Sequence, residues 1–230
     1  MSEAMPEAHR FHEWVYRSFA AWVGERTLEV GSGTGVYTEK LLRRGEVVAA
    51  DVDPACLELV RVRCASPRLE CIQLDLDAAE DFDQLRDRQF DTVISVNVLE
   101  HIANDVGAVQ NLSRALQPGG RLILYVPAMP SLFGTLDETA GHHRRYTLTG
   151  LSALVELTGH RVVHASYKNA VSAVGWWVNG RLVKQRDLSA RSMSSQIRMY
   201  DRYLLPLTRL IDPLTSRFFG QSLLVVGEKL

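Results

Sequence analysis

Arg26-Thr27-Leu28-Glu29-Val30 runs directly into Gly31-Ser32-Gly33-Thr34-Gly35, a helical pattern opens at about Val36, and a second β-rich run, Val47–Asp51, ends on a carboxylate. The order is strand, tight turn, helix start, strand. Glycines suit such a turn because they reach positive φ without steric cost and let a ligand approach where a Cβ would collide. The helix start behind the turn presents unpaired backbone N–H groups. An acid ending the next strand, about twenty residues after the first glycine, is placed to accept both hydroxyls of a ribose. Loop and acid together point to a ligand that contains a nucleoside.

The glycine spacing narrows the choice. A loop built for a dinucleotide reads GxGxxG, with glycine or alanine at position 36 so that the helix packs closely beneath a pyrophosphate; Val36 stands there instead, and the glycines fall as GxGxG. Glu29, two residues before the first glycine, would repel a pyrophosphate and suits a ligand with a cationic end. S-adenosylmethionine, with an ammonium and a sulfonium, meets both conditions.

Around this loop the chain resembles the class I S-adenosylmethionine-dependent methyltransferases. The matching segments are LEVGSGTG (28–35), AADVDP (49–54), QLDLDA (73–78), FDTVISVNVLEHI (90–102) and LQPGGRLILYVP (116–127), in family order and spacing. A further stretch, LDETAGHHRRYTLTGL (136–151), is similar to the segment after the fifth strand in bacterial methyltransferases often encoded beside glycosyltransferases. The resemblance implies that Glu29, Gly31 and Gly33 surround the methionine moiety and that Asp51 binds the ribose hydroxyls, with Val52 against the adenine. It also implies that Asp75 and Leu76 recognise the adenine amino edge and that Asn97 lines the cofactor near its methyl group. The bland readings are a surface turn acid for Asp75 and a strand-end cap for Asn97.

Beyond the loop, β-rich runs alternate with helical patterns, which predicts a parallel sheet wrapped by helices. Strands are expected at 26–30, 47–51, 69–74, 90–95 and 121–126, each apolar along nearly its whole length as strands buried on both faces are, with a sixth at 161–166 and a last at 222–226. Asn104 or Asp105 is expected to cap a helix with Val106, Val109, Leu112 and Leu116 on one stripe, stopped by Pro118-Gly119-Gly120; Thr147 is expected to cap another that ends at Gly159. The fold class is therefore α/β, a Rossmann-like doubly wound sheet of seven mostly parallel strands, in a single domain over 1–230. Residues 167–221 exceed the connection such a fold needs and are expected to form a helical insertion or lid before the last strand.

With 26 basic against 27 acidic residues, the chain has a net charge of -1, which gives no global electrostatic reason for nucleic-acid binding. Three cysteines at spacings that fit neither a zinc site nor a disulfide framework favour a reducing compartment. With a polar N-terminus as well, a cytoplasmic location is expected. No metal ligand set was apparent in the sequence.

Methyl transfer from a sulfonium is an in-line displacement that mainly needs positioning and exclusion of water. A hydroxyl acceptor would also use a general base. Loops at the C-terminal strand ends supply the candidates His101, His142 and His143, with His142 or His143 favoured; Glu100-His101 could instead orient a loop, and His-His-Arg-Arg could be a solvated basic turn. The resemblance also bears on the acceptor. The Asn-Pro-Pro-Tyr motif of many amide- and amino-nitrogen methylating enzymes is replaced by Asn97-Val98-Leu99-Glu100, which lowers the odds of DNA-adenine or protein-glutamine methylation. From Gly175 to Phe219, eight basic residues stand against three acidic ones among many aromatic and apolar ones. That segment is expected to act as a lid, a membrane-docking face for anionic headgroups or a homodimer contact. The leading expectation is methylation of a hydroxyl on a small molecule or a glycan- or lipid-linked precursor. An RNA-modifying enzyme, a nicotinamide-dependent reductase and a non-catalytic adenosylmethionine-binding protein are the alternatives.

Overall fold

The computed structural model describes residues 8–183 and 200–230, with Arg181 and Leu182 as backbone only. Its strands are β1 (Arg26–Val30), β2 (Glu46–Asp51), β3 (Leu69–Gln73), β4 (Phe90–Val96), β5 (Leu116–Pro127), β6 (His160–Lys168) and β7 (Ser222–Lys229). They form one seven-stranded sheet in the order β3-β2-β1-β4-β5-β7-β6. Strands β1 to β5 pair in parallel, and β7 is antiparallel to both β5 and β6. This is the Rossmann-like sheet expected from the sequence. The strand order reverses between β1 and β4, and in open parallel sheets the crevice at such a reversal, beyond the C-terminal strand ends, is where ligands bind.

Alternation along each strand sorts side chains onto two cores. Leu28, Val30, Val48, Ala50, Val93, Leu122 and Leu124 pack on one face with α4 (Asp105–Ala115) and α6 (Leu148–Leu157). Val47, Ala49, Ile94, Ile123 and Tyr125 pack on the other with Val15 and Phe19 of α1 (His9–Phe19). The helices end where their residues dictate. Asn104 accepts the Gly107 N–H at 3.1 Å and Thr147 accepts the Gly150 N–H at 3.0 Å, so the first turns of α4 and α6 are capped as expected. Gly159 follows α6 at φ 84°, a left-handed conformation that favours glycine.

Three local expectations are corrected. The helix expected from about Val36 begins only at Thr38 and is short (α2, Thr38–Leu41), because Gly35 is held at φ 77° and the turn runs on through Tyr37. Leu116 is the first residue of β5 and not a helical position, and Pro118-Gly119-Gly120 lies within that strand's span. At the sheet edge, β3 is half-buried or exposed along its length, unlike the central strands.

After β6 the chain enters α7 (Ala170–Trp177), and a wide turn over 200–204 leads into α8 (Leu205–Thr215). Buried Asp212 of α8 accepts the N–H groups of Asn169 (2.8 Å) and Ala170 (3.0 Å), and the Tyr200 hydroxyl bonds Asn169 Oδ1 and, at 2.9 Å, Thr208 Oγ1. These bonds fix α8 against the C-terminal end of β6. Lys184, Arg186, Asp187, Arg191 and Arg198 of the basic segment lie outside the described residues.

Candidate active site

Gly31, Gly33 and Gly35 all have positive φ, at 79°, 52° and 77°. The Gly31 and Ser32 N–H groups both donate to the Ala50 carbonyl, at 2.8 and 3.0 Å, which lays the loop against the end of β2. At Gly31 a Cβ would lie 2.2 Å from Val98 Cγ2, so glycine is required there for space as well as conformation. Glu29 shares its face of the sheet with its register partners Ala49 and Ile94, both fully buried in the apolar core beneath α1. Burial therefore pushes its carboxyl up to about 8, a rise that the Thr38 hydroxyl bond opposes and the Asp51 charge increases. A buried carboxylate lacking a countercharge is a receptor for a cation. Ser32 Oγ and Thr34 Oγ1 are likewise buried without a hydrogen-bond partner among the described residues. Backbone clearance, orphaned hydroxyls and an uncompensated acid fit the aminoacyl end of adenosylmethionine.

Asp51 ends β2 with Oδ2 accepting the Gly33 N–H at 2.7 Å and Oδ1 accepting the Asp53 N–H at 3.0 Å, so it orients the loop and retains lone pairs for further donors. Val52 beside it is 59% exposed, an apolar surface open to a planar ring. Asp75 is exposed and its carboxylate takes the Asp77 N–H at 2.9 Å, a turn geometry; the Leu76 side chain is buried and its carbonyl accepts from Asn111 at 3.0 Å. Asn97 adopts φ 54° at the end of β4, with its N–H on the Tyr125 carbonyl at 2.8 Å. That left-handed residue turns the chain so that Val98 covers Gly31.

The histidine candidates separate. His142 is half-buried and its Nδ1 lies 2.9 Å from Asp137 Oδ1, while His143 is exposed and joins the cluster through its backbone N–H to the Glu100 carbonyl. The fully buried Asp137 also receives Arg145 Nε (2.7 Å), Trp176 Nε1 (3.1 Å) and the Gly134 N–H (3.0 Å). Burial raises its carboxyl, but the His142, Arg145 and Trp176 donors outweigh that and hold it below the ordinary carboxylate value. His142 Nε2 stands 4.0 Å from Glu100 Oε1, and its ring meets that of exposed His101 edge-on at 4.8 Å. Glu100 is fully buried; apart from its own amide its carboxylate has no hydrogen-bond partner among the described residues, and burial pushes it to about 8. Burial and the neighbouring His142 hold His101 below its ordinary value. Glu100, His101 and His142 each offer a ligand atom within 4.8 Å of the others, a nitrogen–oxygen donor set that a divalent cation could use.

The His-His-Arg-Arg run is thus no freely solvated turn. Arg145 pairs with Asp137, and Arg144 pairs with Asp105 at 2.8 Å. Tyr146 returns the segment to β5 by a bridge with Ala128. Sequence reasoning missed Asp137 and Trp176. Asp137 lies in the same quoted stretch as His142, but it stands beside a second acid, Glu138, and nothing in the sequence marked it as the buried one of the two.

A GxGxG loop over a switch point, an acid ending the next strand and a cation-seeking carboxylate beneath the loop define a class I S-adenosylmethionine-dependent methyltransferase. Residues 28–124 match the family model described as a methyltransferase domain, and S-adenosylmethionine is the cofactor that this match implies. The chain is 32% identical over 114 residues to a ubiquinone biosynthesis O-methyltransferase of Alkalilimnicola ehrlichii, covering 48% of this chain and 45% of that protein. It is also 32% identical over 136 residues to a demethylmenaquinone methyltransferase of Tropheryma whipplei, covering 57% and 53%. The chain thus spans about half the length of the curated relatives it matches. Among solved structures, a SAM-dependent methyltransferase from Archaeoglobus fulgidus superposes with a TM-score of 0.65 at 16% identity, covering 96% of this chain and 94% of that one. One from Mesorhizobium loti gives 0.63 at 16%, covering 95% and 98%. At that identity the likeness shows the fold. Among the described residues, no helix is long and apolar enough to cross a membrane.

Proposed function

We propose that this chain transfers a methyl group to a hydroxyl oxygen of a small molecule or of a glycan- or lipid-linked precursor, with His142 as the general base. The observation that carries the reading is the Asp137–His142 contact at 2.9 Å. A buried carboxylate held by Arg145 and Trp176 fixes one ring nitrogen of His142 and leaves Nε2 to take a proton, the arrangement in which an orienting acid supports an imidazole base. Adenosylmethionine, when bound, supplies an electrophilic methyl and a neutral leaving group. Glu29, Gly31 and Gly33 would hold its aminoacyl end, Asp51 and Val52 its ribose and adenine, Asp75 and Leu76 the adenine edge, and Asn97 the neighbourhood of the methyl. His101 and His143 serve as outer groups of the same mouth. The relative named as an O-methyltransferase supports an oxygen acceptor, and both relatives' names support a small-molecule one. The segment 175–219 would cover or present that acceptor, with contact at a membrane where the acceptor is lipid-linked.

The test is a labelled-methyl assay against cell extract separated into aqueous and lipid fractions. His142→Asn should cut transfer by about 10²–10⁴ while calorimetry shows unchanged affinity for adenosylmethionine. Undiminished transfer by that variant removes His142 from the chemistry.

A further inference from the structure

Tyr203, Leu207, Leu210, Leu214 and Phe218 are 44% to 79% exposed and recur every three or four residues, which makes them one outward row along α8 and the turns flanking it. Beside them runs a second exposed row that contains Arg202, Arg209 and Arg217. Leu205, Thr208 and Asp212 form the opposite, buried side. Both acids of the stretch 200–219 are used elsewhere. Asp201 accepts the Phe11 and Arg10 N–H groups at the start of α1, at 2.6 and 3.3 Å, and Asp212 is buried on Asn169 and Ala170. The outward face therefore carries an apolar row and a cationic row and no free carboxylate among the described residues. The Arg202 guanidinium lies over the Tyr203 ring at 5.4 Å, so the two rows touch at that end.

From this geometry we infer that the outer face of α8 seats the protein on an anionic lipid surface. The apolar row enters the boundary between headgroups and acyl chains, and Arg202, Arg209 and Arg217 extend to the lipid phosphates. Helices that lie in a membrane interface combine an apolar face with basic residues along its border, and long cationic side chains reach headgroups while their stems stay in apolar surroundings. The charge selects this occupant over a second copy: a symmetric pairing would bring arginine against arginine with no acid to meet it. The inference rests on the proposed function only for its purpose, access to a lipid-linked acceptor; the face itself is independent of His142.

Co-sedimentation of the full chain with phosphatidylcholine vesicles, with and without phosphatidylglycerol, tests it. The expected result is binding to the phosphatidylglycerol vesicles alone, weakened by salt. Leu210→Asp with Leu214→Asp should lower that binding at least about tenfold, and Arg209→Glu should lower it at least about fivefold. Adenosylmethionine affinity, unchanged in each variant, shows that the fold is intact. Binding indifferent to headgroup charge, binding indifferent to these substitutions, or no binding overturns the inference. So does sedimentation of the chain as a dimer that Leu214→Asp splits. Absence of vesicle binding by the native chain, with methyl transfer to the lipid fraction intact, would refute the docking face and leave the proposed reaction standing; vesicle binding without any such transfer would do the opposite.

Discussion

Glu29 sits on an apolar face where a carboxylate is costly unless a cation meets it. With its folded value raised from the ordinary 4.5 to about 8, it binds more protons folded than unfolded across that window, so the ligand-free protein loses stability as pH rises through it. Glu100, raised in the same way, adds to the trend. Binding a ligand with an ammonium beside Glu29 should reverse the shift and release on the order of one proton near neutral pH. Calorimetry in two buffers of different ionisation enthalpy reads this directly: the enthalpies should differ for the native chain and converge for Glu29→Gln. Equal enthalpies in both buffers for the native chain would place the cation elsewhere. At Asp51, loss of a charge-assisted bond to the ribose should weaken adenosylmethionine by about 1.5–3 kcal/mol in Asp51→Ala. Since Asp51 also holds the Gly33 N–H, a melting curve must accompany the titration. These residues were legible in the sequence because the loop needs its glycines, its acid and its buried carboxylate at fixed spacing along a continuous strand–turn–strand.

At the scale of elements, the β5–α6 connection shows what spacing cannot reveal. Both favoured histidines stood in one basic run, and only the fold separates them: α5 (Thr135–Ala140) carries Asp137 under the loop, so His142 turns inward to it while His143 faces solvent. Arg145 and Asp137 form a buried pair whose remaining valences are filled by Trp176 and the Gly134 and Ala128 backbone. Removing one partner leaves an uncompensated buried charge, so Asp137→Ala should destabilise the protein by about 3–5 kcal/mol in urea titration. A loss below 1 kcal/mol would mean that the pair is solvated. Trp176 could not have been assigned to this site from sequence, because it arrives from α7, well beyond the stretch that contains its partners. The starts of α4 and α6 were legible through their caps, whereas the delayed start of α2 was not: a glycine's positive φ is decided by what packs around it.

Across the whole molecule, the parallel core was readable because its central strands are apolar on both faces and follow one another in order, whereas the attachment of α7 and α8 to the sheet depends on single polar residues far apart in sequence. Asp212 is the main tie. It accepts two backbone N–H groups at the left-handed Asn169, where β6 gives way to α7, and burial raises its carboxyl although those bonds and Lys168 oppose the rise. Asp212→Ala would leave both N–H groups buried and unpaired, at a cost of about 1–3 kcal/mol for each. That loss falls on the insertion, since the sheet keeps its own ladder and both of its apolar cores. The expected outcome is faster amide exchange across Ala170–Trp177 and Leu205–Thr215 with protection of β1, β4 and β5 close to that of the native chain. Because Trp176 reaches Asp137 from α7, exchange at His142 and Arg145 should rise as well, coupling the outer helices to the proposed base. Uniform acceleration throughout the sheet would show instead that insertion and core unfold as one unit.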